Sequence, residues 1–170
     1  KLLSRYDAPE RNIYPQEVKD PRGFWTGVYI SAWVIAHNTK LVPPQAAPKG
    51  YKDLLNPKWK SGIGMEVEPY PWFITSLRYL ERRDGKEASM DYFNKLQAQD
   101  LQWRKGHSLI GQLVAAGEFL LAAEIQVHSV ERLKAQGAPI DWVAPDGVIP
   151  INTVGVALSS TGPNTHAAAL

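Results

Sequence analysis

An α/β fold with a mixed, mostly parallel sheet flanked by helices is the class this sequence predicts, and three observations predict it. From about residue 63 to residue 143, short strand-like runs alternate with segments whose apolar residues recur at helical spacing. Residues 119–125 are nearly all apolar, which suits a central strand covered on both faces. Turn formers punctuate the boundaries, as at Asn56-Pro57, Asp84-Gly85, Gly117 and Gly137.

The elements follow in order. Pro9, Pro15, Pro21 and Gly23 keep any long helix out of residues 1–23, which read as a surface connection. Residues 24–37 carry Trp25, Val28, Tyr29, Ile30, Trp33, Val34 and Ile35, a β-branched and aromatic run that predicts one long buried strand or two in succession. Residues 51–55 predict a short helix stopped by Asn56-Pro57, and 63–67 a short strand. Pro71 fits a first helical turn, and Trp72, Phe73, Leu77 and Leu80 then recur on one face until Asp84-Gly85. A second helix covers Ala88, Tyr92, Phe93 and Leu96, and 101–103 is a strand. Ser108 is placed as the N-cap of a helix over 109–116 that Gly117 closes. A helix over 127–136, strands over 140–143 and 152–158, and the start of an alanine-rich helix after Pro163-Asn164 complete the chain. That helix stops at Leu170 without a cap, so the chain is expected to be part of a longer protein.

Composition narrows the function. The 170 residues, 44% hydrophobic and 21% charged, suffice for one domain with a sizeable core. The 19 basic and 17 acidic residues are scattered and give a net charge of +2, without the basic stripe that binding to a phosphate backbone requires, so no nucleic acid is expected as partner. No apolar run approaches the roughly 20 residues that span a bilayer, and no membrane insertion of this chain is expected. Cysteine is absent, which removes disulfides, thiolate nucleophiles and Cys-ligated zinc. The four histidines show no metal-site spacing, and no nucleophile elbow, phosphate-binding P-loop or dinucleotide glycine motif occurs. No enzyme activity, cofactor or dedicated metal site is therefore expected.

Four stretches follow one another along the chain: Tyr14-Pro15 with Lys19-Asp20-Pro21-Arg22-Gly23-Phe24-Trp25-Thr26-Gly27-Val28-Tyr29 and Asn38-Thr39-Lys40-Leu41-Val42; Tyr51-Lys52-Asp53-Leu54-Leu55-Asn56-Pro57-Lys58-Trp59-Lys60-Ser61-Gly62-Ile63-Gly64; Leu113-Val114-Ala115-Ala116-Gly117-Glu118; and Pro163-Asn164. Together they resemble the ferric-iron-binding group of periplasmic (extracellular) solute-binding proteins, family 1, which serve ABC importers. The resemblance implies one lobe of a type II clamshell. Residues 1–23 would end lobe one, 24–37 form the first hinge crossing, 38–145 lobe two, 146–158 the return crossing, and 159–170 the start of a lobe-one helix. It also implies a periplasmic or extracellular receptor that delivers a small-molecule or ion ligand to an ABC transporter permease. A ligand-sensing domain of a regulator or receptor on the same fold is the alternative. One departure matters: where iron-binding members carry two adjacent tyrosines, this chain has Val127 and His128, so tyrosinate ligation of iron is not expected here. A small anion or a metal–anion complex is the expected ligand, because helix N-termini at the cleft favour negative charge.

Candidate ligand-binding residues follow from position. Glu124, Gln126 and His128 alternate at the end of the central strand and point one way if the strand runs through all three; otherwise they cap and pack the next helix. His107 and Ser108 open a helix whose free amides suit an anion, plain N-capping by Ser108 being the rival. Glu68 and Tyr70 lie between a strand and a helix, where α/β folds place ligand contacts. Tyr29 and Ser31 sit in the first crossing and either line the cleft or pack the hinge. Trp72, Trp103 and Trp142 are expected in the core rather than as stacking platforms.

Overall fold

The computed structural model describes residues 2–169, so Lys1 and the predicted helix end at Leu170 lie outside the described residues. The chain divides into two compact units, residues 1–31 with 152–170, and residues 32–151.

The larger unit is built on a sheet of order β4-β3-β5-β2-β6, with β2 Thr26–Asn38, of which residues 32–38 lie in this unit, β3 Ile63–Glu66, β4 Gln102–Arg104, β5 Leu121–Gln126 and β6 Ile140–Val143. β3 pairs in parallel with β4 and with β5, whereas β2 runs antiparallel to β5 and β6. All strands of this path except β2 thus point the same way. The helices α1 Tyr70–Asp84, α2 Lys86–Gln97, α3 His107–Ala116 and α4 Val127–Ala135 follow the strands as crossovers.

Strand alternation sorts the side chains between two cores. Trp33 and Ile35 of β2, Ile63 and Met65 of β3, and Leu121 and Ala123 of β5 join Trp72 and Leu80 of α1 and Tyr92 and Leu96 of α2. On the other face Val34, Ala36 and Ala122 meet Ile110 and Val114 of α3 and Val130 and Leu133 of α4. In α1 the buried positions Trp72, Ser76 and Leu80 repeat every fourth residue, with Phe73 and Leu77 of the expected apolar face partly buried beside them. α3 ends on Gly117 at φ 87°, where the Glu118 amide donates to the Leu113 carbonyl at 3.0 Å. The Asn38 amide caps the same helix, donating to the carbonyls of Val114 at 2.7 Å and Ala115 at 3.2 Å. Gly64 lies where the sheet meets α3; a Cβ there would sit 2.6 Å from Phe119 Cδ2 and 3.2 Å from Ile110 Cγ2. Gly64→Ala is expected to destabilise by about 1–3 kcal/mol through overpacking, read from the urea midpoint at unchanged m-value. A loss below about 0.5 kcal/mol would show that Phe119 gives way freely.

Residues 51–55 do form the expected short helix, of 3-10 type, with Asp53 and Asn56 amides bonding three residues back and Pro57 blocking extension. Other expectations need correction. Ser108 is not the N-cap of α3: Gly106, at φ 98°, holds that position and His107 already opens the helix. β2 is buried only in its second part, since Val28, Tyr29 and Ile30 are about half exposed. Trp72 is core and Trp142 packs against the second core, but Trp103 is 43% exposed on the short edge strand β4.

In the smaller unit, β1 Leu3–Ser4 pairs antiparallel with β8 Leu158–Ser159, β7 Ile151–Val156 pairs with β2, and α5 spans Thr165–Ala169. Lys19, 6% exposed, donates to the carbonyls of Arg11 at 3.0 Å and Tyr14 at 2.7 Å and so ties down the loop 9–14. Among its described residues no Val, Ile, Leu, Phe, Trp or Tyr side chain is buried.

Candidate functional site

In the larger unit the C-terminal ends of β3, β4 and β5 lead into the N-termini of α1, α3 and α4. Ligands of open α/β sheets bind at such ends, where helix amides without intrahelical partners converge. Residue parity brings acids to the same place. Gly64 and Glu66 share one face of β3, Ala122 and Glu124 share one face of β5, and Gly64 and Ala122 are register partners. Both carboxylates therefore face α3 rather than the Trp72 core.

Each of their oxygens has a donor. Glu124, 0% exposed, accepts the Glu66 amide on Oε1 at 3.1 Å and His107 Nε2 on Oε2 at 2.9 Å. Glu66, 8% exposed, accepts the Val67 amide on Oε1 at 3.1 Å and the Gly106 amide on Oε2 at 2.6 Å. Burial alone would lower the His107 pKa, but the Glu124 hydrogen bond, the Glu124 charge and the Glu66 charge outweigh it and hold the imidazole above its ordinary value. Gly106 and His107, the residues that begin α3, are thus fixed by two buried carboxylates. Among the described residues no three acidic or histidine side chains are grouped to hold a metal ion.

The remaining candidates fall into four groups, at α3, at α4, at α1 and in the smaller unit. Ser108 is exposed next to His107, and its Oγ accepts Arg132 Nη2 of α4 at 3.1 Å. Gln126 is the N-cap of α4 by backbone geometry but makes no side-chain cap bond. The strand does not continue through His128: α4 begins at Val127, so His128 is an exposed first-turn residue and does not alternate with Glu124 and Gln126. Glu68 and Tyr70 are exposed at the start of α1, on the same sheet edge as His107. Tyr29 and Ser31 belong to the smaller unit; Tyr29 is exposed, and Ser31 is buried with no partner for its Oγ. The residue that sequence reasoning missed is Glu66. Its signal was parity, because an acid two residues after Gly64 on the strand beside Glu124 must face the same helix.

Residues 2–146 match the sequence profile of the bacterial extracellular solute-binding protein family. This chain belongs to that family. Members of the family are solute-binding proteins. The fold is that of type II periplasmic binding proteins. The chain is similar to AfuA from Actinobacillus pleuropneumoniae, solved with exogenous fructose-6-phosphate bound, at TM-score 0.81 and 24% identity over 99% of this chain and 55% of that one. It is similar to iron-bound HitA from Pseudomonas aeruginosa at TM-score 0.80 and 20% identity, over 99% and 56%. For the ferric binding protein of Campylobacter jejuni the values are 0.76 and 22%, over 98% and 57%. The chain thus spans a little over half the length of the solved structures it matches. No curated protein sequence matches it. No helix among the described residues is long and apolar enough to cross a membrane.

Proposed function

We propose that this solute-binding chain is an extracytoplasmic receptor lobe that captures a small anion or a metal–anion complex in the periplasm and delivers it to the permease of an ABC importer. The observation that carries the reading is the meeting of three helix N-termini with His107 at the C-terminal edge of the sheet. Ser108, Gln126, His128, Glu68 and Tyr70 surround that edge as further contacts, and Tyr29 and Ser31 are assigned to the first crossing. In this reading residues 24–37 and 146–158 are the hinge crossings, 38–145 is lobe two, and 1–23 and 159–170 belong to lobe one. The shortage of buried apolar side chains in the smaller unit supports the last assignment, since a unit without its own core packs on further structure. The ligands named for AfuA and HitA, a sugar phosphate and iron, bracket the ligand class.

A ligand-sensing domain of a signalling protein is the second reading. It is favoured by similarity to a two-component system protein at TM-score 0.76 and 17% identity. Mass spectrometry of solute released from natively purified full-length protein is the test. An oxyanion or a metal–anion complex, bound more weakly after His107→Gln, supports the proposal; a neutral or cationic solute, or an oxyanion indifferent to His107→Gln, sinks it. Loss of solute uptake on gene deletion separates transport from sensing.

A further inference from the structure

We infer that His107 is the specificity-determining contact of this site, and that Glu124 and Glu66 are positioning residues that hold its ring so that Nδ1 faces an oxyanion. The inference rests on the solute-binding reading above.

A carboxylate accepts, so the 2.9 Å contact to Glu124 Oε2 places a proton on His107 Nε2. Nδ1 has no hydrogen-bond partner among the described residues. Each carboxylate oxygen of the cluster already has a donor and can only accept, which leaves Nδ1 as the side-chain atom of the cluster that can present a donor to an anionic solute. The side chain of His107 is 18% exposed, whereas that of Glu124 is fully buried, so a solute meets the imidazole and not the acid behind it. Glu66 fixes the backbone at the same point, because its bond to the Gly106 amide anchors the residue that precedes His107.

The protonation state then decides what the site can hold. As an imidazolium, His107 presents an N–H donor at Nδ1 and suits phosphate-type or carboxylate oxygens; as a neutral ring with Nε2 protonated, it presents a bare lone pair and repels them. The charged groups on neighbouring elements are Glu66 of β3, Arg104 and Lys105 at the end of β4, Glu124 of β5, and Glu68 before α1. From α4 come His128 and Arg132, the latter engaged with Ser108 Oγ. Asp141 of β6 is held by Lys134 at 2.7 Å. Two buried carboxylates set against one imidazole favour its charged form, in agreement with its raised pKa.

The test is imidazole-detected nitrogen NMR on the labelled chain, with the His107 signals among the four histidines assigned by their loss in His107→Gln. Sulfate and acetate serve as probes, since both keep their charge from about pH 6 upward, so that a change in their binding with pH reports on the protein. The expected result is a neutral form protonated at Nε2 and a titration midpoint above the ordinary histidine value of about 6.5. Glu124→Gln lowers that midpoint, and Glu66→Gln does so to a lesser degree. Sulfate affinity should fall about tenfold or more from the acidic to the alkaline end, as expected when a charge-assisted hydrogen bond is lost, and lose that dependence in His107→Gln. Sulfate stronger than acetate points to a phosphate-type group, and the reverse to a carboxylate. A neutral form protonated at Nδ1, which the wild-type spectrum alone reveals, overturns the inference. So does pH-independent binding of the probes at residues 66–70, 106–108 and 126–128, which leaves the solute site standing. If neither probe perturbs any of those residues, the site reading fails and takes this inference with it.

Discussion

Trp72→Ala is expected to lower the unfolding free energy by about 3–5 kcal/mol, the range for deleting a fully buried indole. Trp72 is 0% exposed, and its Nε1 donates to the Tyr51 hydroxyl at 3.1 Å. Its ring meets Tyr51 edge-on at 5.8 Å and Phe93 at 6.1 Å. Burial pushes the Tyr51 pKa up to about 12, so the hydroxyl stays protonated across the working range, and the Tyr92 hydroxyl donates to the Tyr51 carbonyl at 3.0 Å. Truncation leaves a cavity and removes the partner of a buried hydroxyl together. Trp72→Phe keeps most of the volume and loses mainly the donor, so its cost should be nearer about 1–2 kcal/mol. Urea unfolding followed by circular dichroism checks both. A Trp72→Ala loss below about 1 kcal/mol, or a Phe variant as damaged as the Ala variant, contradicts this account. The effect bears on function because Trp72 lies in the first turn of α1, the turn that fixes Tyr70 at the sheet edge.

Much of this architecture was legible because local and tertiary signals agree. Pro71 and the helical spacing of Trp72, Phe73, Leu77 and Leu80 mark α1, and Gly117 at positive φ closes α3 where the sequence puts it. What the sequence hid has physical reasons. The helix expected from residue 127 begins there, but the junction of β5 and α4 contains no glycine or proline, so the local pattern leaves open whether the strand runs on through His128. Val28, Tyr29 and Ile30 have the composition of a buried strand, yet exposure depends on what covers them, which a local pattern does not carry. Ser108 looked like a cap because serine favours that role, but Gly106 at φ 98° and the Glu66 bond to its amide start the helix earlier. Glu66 itself read as the end of a strand. Its partner is 58 residues away, and only the pairing of β3 beside β5 joins them.

The same pairing sets the second large effect. Glu124→Ala is expected to destabilise by about 3–5 kcal/mol below about pH 6, the range for removing one member of a buried charge pair, because it leaves His107 and the Glu66 amide without their acceptor. The pH dependence has a definite sign. The folded-state pKa of His107 is raised above its unfolded value, so the stability from its protonated pairing is fully present below the unfolded value of about 6.5 and is lost as pH rises through the folded value. The deficit of Glu124→Ala relative to the parent chain should therefore shrink towards alkaline pH, where His107 is neutral in both. A remainder of about 1 kcal/mol should persist there from the orphaned Glu66 amide. Paired urea titrations at about pH 6 and about pH 9 measure the difference, with Glu124→Gln as the control that keeps the shape and an acceptor while removing the charge. If the deficit is the same at both ends of the range, His107 is not the charge that Glu124 holds, and the carboxylate acts through the Glu66 amide alone.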